Sequence, residues 1–158
     1  MSRLLLLLHI FSAFWFVSGL AGRDITLAAA RRRSDIGSVK TLTETAGIFD
    51  RFAVVPGLPV TVALGLLTMW AQGRSPFEDG NWWLTAALLI FVSMGVLVPT
   101  VWIPHGKVFE SALEDAVREG EVTPRLTAAF SDRTVLASRL YERLATAAII
   151  VLMVTKPF

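Results

Sequence analysis

Residues 82–103 read WWLTAALLIFVSMGVLVPTVWI and contain no charged side chain. A bilayer core of about 30 Å takes roughly 20 apolar helical residues to cross, so this stretch has the length and the chemistry of a transmembrane helix. Pro99 lies near its end and Pro104 just after it. On its N-terminal side, Arg51 to Gln72 supplies a second span, with Pro56 and Pro59 in the first third. Each proline removes a backbone donor and strains the preceding turn, a defect that neighbouring helices absorb inside a membrane. A helix starting at Pro59 would reach only about 21 Å, too short to cross. A longer, kinked helix is expected.

Leu4 to Gly22 follows Arg3, carries no charge, and is expected to continue through Ile25 to Ala30 into Arg31, Arg32 and Arg33. This opening also has the look of a signal peptide, with Gly19 to Gly22 as a cleavage site. The span is the better reading, because everything downstream is membrane-like too. At the other end, Leu144 to Thr155 is uncharged but short, so a fourth helix must reach back to about residue 135 through Arg139, Glu142 and Arg143. Those three are expected near the interface, snorkelling to water. The expectation is an all-α integral membrane four-helix bundle, one domain over 1–158, with spans at 4–22 (extending to 30), 51–72, 82–103 and 135–155.

Composition agrees. The 158 residues are 54% hydrophobic and 18% charged, with a mean hydropathy of +0.59. A soluble domain of this size has too little interior to hide so much apolar surface. The pI near 9.5 reflects segregated charge rather than a nucleic-acid surface. Between the first and second spans lie Arg23, Arg31, Arg32, Arg33, Lys40 and Arg51. Between the third and the apolar part of the fourth lie Lys107, Arg118, Arg125, Arg133, Arg139 and Arg143. Only Arg3, Arg74 and Lys156 fall on the other side, so twelve of the 15 basic residues mark the two long connections as cytoplasmic. Both termini and the Gly73–Asn81 loop then face outward, with Trp70, Trp82 and Trp83 at the outer interface and Trp102 at the inner one.

The connections carry amphipathic pattern of their own. Thr41-Leu42-Thr43-Glu44 fits a capping box opening a helix toward Ile48, Phe49 and Phe52. Val108, Phe109, Leu113, Ala116 and Val117 share a face opposite Glu110, Glu114, Asp115 and Arg118, suiting a short cytoplasmic helix on the bilayer or against the bundle. Gly120 suits its stop, and Thr123-Pro124 the start of another.

Chemistry is sparse. No phosphate loop, nucleophile elbow or HExxH occurs, the chain has no cysteine, and no paired intramembrane carboxylates stand out. The balance points away from an enzyme. Of two histidines, His9 lies in the outer half of the first span and His105 follows the third. By helix rise they stand roughly 20 Å or more apart along the membrane normal, so one metal ion cannot use both. His9, Ser12, Phe16, Gly19 and Arg23 share one face at helical spacing. Its small residues let another helix, or a flat cofactor, come close. Met69 and Met153 end the second and fourth spans on the side of His9. A His/Met pair suits haem iron and a His/Met₂ set suits Cu(I). Arg3, Arg74 and Lys156 flank the same mouth and could hold haem propionates; Arg23, about 21 Å from His9, is too far. The alternative is packing, with His9 bonded to a serine or a backbone carbonyl of a neighbouring helix and the methionines filling gaps.

Leu8-His9-Ile10, Trp15-Phe16 and Gly19-Leu20 resemble the first helix of the HemJ-type protoporphyrinogen oxidases and their CopD-like relatives. Asp50-Arg51-Phe52, Val54-Val55-Pro56-Gly57 and Gly65 resemble their second helix, and Ile150 to Phe158 their terminal run closing in Lys-Pro-Phe. The closest resemblance is to the membrane family called domain of unknown function 2269. It implies a four-helix bundle of the bacterial inner membrane whose first-helix histidine, here His9, binds haem b; His105-Gly106 would match a second family histidine. The third helix has no lysine where the oxidase branch is expected to carry one. Tyr141-Glu142-Arg143-Leu144 stands where that branch has Asn-Glu-x-Pro, which speaks against the oxidase reaction.

Three readings stay open. One is haem b at His9 for electron transfer or sensing. Another is Cu(I) at His9 with Met69 and Met153. The third is a cofactor-free accessory or assembly subunit. Expected partners are the lipid bilayer and a homo-oligomer or larger membrane complex, not nucleic acid.

Overall fold

The computed structural model describes residues 2–78 and 80–156 (of Ser2, the backbone alone). Asp79 and the closing Pro157-Phe158 lie outside the described residues. Every described element is helical. α1 spans Ser2–Ala30. α2 (Ile36–Phe49) continues into α3 (Val55–Ala71) through a wide π-type turn at Asp50–Val54. α4 (Trp82–Leu97) likewise continues into α5 (Ile103–Glu119) through a second wide turn at Val98–Trp102. α6 is Pro124–Phe130 and α7 is Arg133–Thr155. Three continuous helices are long and apolar enough to cross a membrane: Arg3–Ala30, Ile36–Ala71 and Trp82–Glu119. With α7 they form a helical membrane bundle.

The expected kink at Pro56 and Pro59 takes the form of the first wide turn. A proline cannot donate to the carbonyl four residues back, and just ahead of Pro56 the Val55 N–H reaches back five residues to Asp50. The second wide turn contains Pro99 and precedes Pro104; there the Ile103 N–H reaches the Val98 carbonyl. The helices therefore do not stop at the ends of the apolar runs. Ile36–Ala71 is 36 residues long, about 54 Å by helix rise, and so extends well past a bilayer core.

Helix starts correct one expectation. Thr41 does not open a helix; its hydroxyl donates to the Gly37 carbonyl inside α2. Asp35 is the N-cap instead, accepting from the Ser38 N–H at 2.7 Å, as a short acidic side chain does well. That bond holds its carboxyl below the usual carboxylate range. The later signals hold. Gly120 stops α5 in the left-handed conformation, at φ +78°, and Thr123 caps α6 ahead of Pro124. Asp132 caps α7 through the N–H groups of Thr134 and Val135.

Two cores result. In the bundle, Phe16 and Leu20 of α1 pack with Met94 of α4 and with Ala145 and Ile149 of α7. At the basic end, Val39 packs with Ala112, Ala116 and Leu126, flanked by Phe109 and Leu113. Phe109 meets Phe130 edge-on at 4.9 Å between centroids, a favourable aromatic arrangement. The amphipathic face of α5 thus lies against the protein's own helices.

α1 and the α2–α3 helix close most tightly, because glycine on one repeatedly faces bulk on the other. A Cβ added to Gly19 would stand 2.5 Å from that of Ala53, and one on Gly22 would be 2.6 Å from the Phe49 ring. In the reverse sense, Gly57 receives Phe16 and Gly65 receives the His9 ring, each 3.0 Å from such an atom. Omitting Cβ lets backbones approach, as at small-residue seams in membranes.

Candidate functional site

At the level of both wide turns, charged side chains turn inward. Arg23, on the face of α1 that also carries Ser12, Phe16 and Gly19, is 5% exposed. Its guanidinium donates to Glu142 of α7 at 2.6 Å, to Asp50 of the first wide turn at 3.3 Å and to neighbouring Asp24 at 3.3 Å. The indole of Trp102, from the second wide turn, lies 5.3 Å from the guanidinium carbon, a cation–π distance. Arg143 closes the outer side by donating to Asp24 at 2.7 Å. Arg139, one turn before Arg143 on α7, sits within electrostatic reach of Arg23, Asp24, Asp50 and Glu142. Each wide turn therefore delivers one residue to Arg23, and π-type insertions often mark functional sites.

Beside this cluster a cavity of about 510 Å³ opens between α1, the α2–α3 helix, the α4–α5 helix and α7. Its membrane end is lined by Phe16, Val54, Leu58, Met94 and Val98. Its waist carries Arg23, Asp50, Trp102, Arg139 and Glu142, and its basic end Phe109, Phe130, His105 and Asp132. Three polar atoms on residues of this wall are buried and have no hydrogen-bond partner among the described residues: Thr43 Oγ1, Trp102 Nε1 and Arg139 Nε. A buried donor without an acceptor costs free energy, so a mainly apolar pocket with such donors is built like a ligand site.

His9 sits apart from that cavity. Its Nδ1 lies 3.0 Å from the Thr61 carbonyl of α3, and its ring rests on Gly65. Thr61 is the imidazole's one hydrogen-bond partner among the described residues. Met153 packs against the core around Phe16, Met94 and Ile149. Met69 lies one turn beyond Gly65, in a helix end whose carbonyls accept from Gln72 and Arg74. Arg3 and Arg74 are exposed, and the Lys156 ammonium stands 5.7 Å from the Trp83 ring centre. The structure thus brings His9 to α3 and Lys156 to α4. His105 lies beyond the charge cluster, its Nδ1 2.7 Å from Asp132. Burial raises the Asp132 carboxyl, and the bonds from His105, Val135 and Thr134 outweigh it, leaving the group below the usual carboxylate range. No cluster of three or more His, Asp or Glu with metal-holding geometry occurs among the described residues.

Several expectations change here. Glu142 does not snorkel; at 6% exposed it turns inward to Arg23. Trp102, expected at the inner interface, forms the floor under that guanidinium. Trp83, 5% exposed, is buried rather than belted. Asp24, Asp50 and Glu142 converge on Arg23 at one depth. The signal was present as three arginines (23, 139, 143) matched by three carboxylates at the same ends of the helices.

Long apolar helices wrapped around buried, paired charge define a multi-pass integral membrane protein. Residues 3–157 match the family described as predicted integral membrane protein (DUF2269), and the chain belongs to that family. No curated protein and no solved structure matches it.

Proposed function

We propose that the chain binds a single-chain amphiphile in the cleft between its helices, as a membrane receptor or carrier rather than an enzyme. What supports this is the 510 Å³ cavity, apolar toward Phe16, Leu58 and Met94 and polar at Arg139 and Trp102, within the size range of small-molecule pockets. The basic connections support a polar waist near the cytoplasmic face, with both termini outside, in a bacterial inner membrane. Native mass spectrometry of the detergent-solubilised chain with oleyl amphiphiles tests the reading. It expects one saturable adduct that Val98→Trp, which fills the wall of the cavity, abolishes without loss of helix. An absent adduct, or one indifferent to that substitution, would overturn it.

A second reading, haem b at His9, is favoured by one observation. A bond from Nδ1 to a backbone carbonyl fixes the ring and leaves Nε2 as the ligand nitrogen. His9 would hold the haem, with Arg3, Arg74 and Lys156 as the basic groups that could pair with it, and haem when bound supplies one-electron chemistry. Cu(I) at the same nitrogen, with Met69 or Met153 drawn to it, is the competing occupant. A Soret band lost in His9→Ala supports haem, and copper by elemental analysis supports the metal. A colourless, metal-free, folded protein removes both and leaves an accessory subunit in which His9 only joins helices.

A further inference from the structure

Resting on the cleft reading, we infer that the ligand's head is a carboxylate, held at the cavity waist by Arg139 and the indole N–H of Trp102. Arg23 is fully engaged, with acceptors at Asp24, Asp50 and Glu142. Arg143 is spent on Asp24. Arg139 alone of the three has no carboxylate within ion-pair distance among the described residues, and its buried Nε has no acceptor. Trp102 Nε1 is a second buried donor without an acceptor. Both residues line the same cavity and both neighbour Arg23. Two unmet donors, one of them cationic, call for an oxygen acceptor bearing negative charge.

Charge narrows the head further. The guanidinium groups of Arg23, Arg139 and Arg143 balance the carboxylates of Asp24, Asp50 and Glu142. A monoanion unbalances that cluster by one charge and a phosphomonoester by nearly two, beside Asp50 and Glu142 in the same wall. A carboxylate therefore suits the waist better than a phosphate. Its hydrocarbon chain runs toward the membrane end, along Val54, Leu58, Met94 and Val98.

Three brominated probes of one chain length test this: dibromostearate, the matching alcohol and the matching phosphomonoester. Each is titrated into the detergent-purified protein, and the quenching of Trp102 is taken as the difference between the natural chain and Trp102→Phe. The carboxylate is expected to bind about tenfold or more tighter than the alcohol, the effect of one charge-assisted hydrogen bond, and tighter than the phosphate. Arg139→Gln should erase that preference. Thermal melting of the variant in detergent confirms that it is folded, and Arg139→Lys should restore part of the preference. Equal affinity for acid and alcohol, tighter binding of the phosphate, or a preference surviving Arg139→Gln overturns the carboxylate head and leaves the cleft standing. Failure of all three probes to quench Trp102 overturns the cleft itself.

Discussion

Along one flank, α1 meets the α2–α3 helix through glycines. Gly19 and Gly22 admit Ala53 and Phe49, while Gly57 and Gly65 admit Phe16 and His9. Along the other flank, facing α4 and α7, the helices enclose a cavity bordered by an ion cluster and a small apolar core. The first flank closes on glycines along most of its length and carries the Arg23–Asp50 pair at the wide turn. The second gathers buried charge and keeps a void. In lipid, where tails are as apolar as leucine, helices associate by close packing or by polar contacts, and α1 uses both, with Gly19 and Arg23 on the same face.

Breaking the polar flank should have the largest effect. Arg23→Leu leaves Glu142 buried without its partner and Asp50, half-exposed, without its own, at a cost of about 3–5 kcal/mol, read as a large fall in melting temperature in detergent. A variant that melts with the natural protein would show that the ion cluster closes nothing. On the packed flank, Gly19→Val forces a side chain into Ala53 and should cost about 1–3 kcal/mol, while leaving binding in the cleft intact. Equal damage to binding would mean that the flanks are coupled rather than separate.

Much of this contrast was legible from residue order. The spans followed from apolar runs, and the shared face of His9, Ser12, Phe16, Gly19 and Arg23 followed from helical spacing. Ser12, Phe16 and Arg23 on it are buried. The partner of Arg23 was not legible, because Glu142 is 119 positions away and nothing local distinguishes a carboxylate that snorkels from one that turns inward. The wide turns were hidden for a similar reason. Proline announces a fault in a helix, but its form depends on which neighbouring carbonyl accepts the displaced N–H. Asp35 was missed beside the more regular Thr41–Glu44 pattern.

Smaller perturbations sharpen the picture at its edges. Asp132→Ala removes the cap of α7 and the partner of His105, and should cost about 1 kcal/mol. Because the folded Asp132 carboxyl lies below its ordinary 3.8, its contribution is present above that pH and fades as pH falls through the lower folded value. The melting temperatures of the natural protein and Asp132→Ala should therefore converge in strong acid. Smallest of all, His9→Leu gives up the bond to Thr61, about 0.6 kcal/mol for such a contact between membrane helices. A far larger loss in the same melting assay would mean that His9 holds more than a carbonyl.

The wide turns also set an angular phase. Each residue of a helix advances about 100°, so the extra residue at Asp50–Val54 rotates all of α2 relative to α3. Asp50 can then reach Arg23 of α1 while Gly57 and Gly65, farther along the same rod, face Phe16 and His9 of the same helix. Deleting a single position there would leave a sound helix with its two halves out of step, one set of teeth meshed and the other turned to empty lipid.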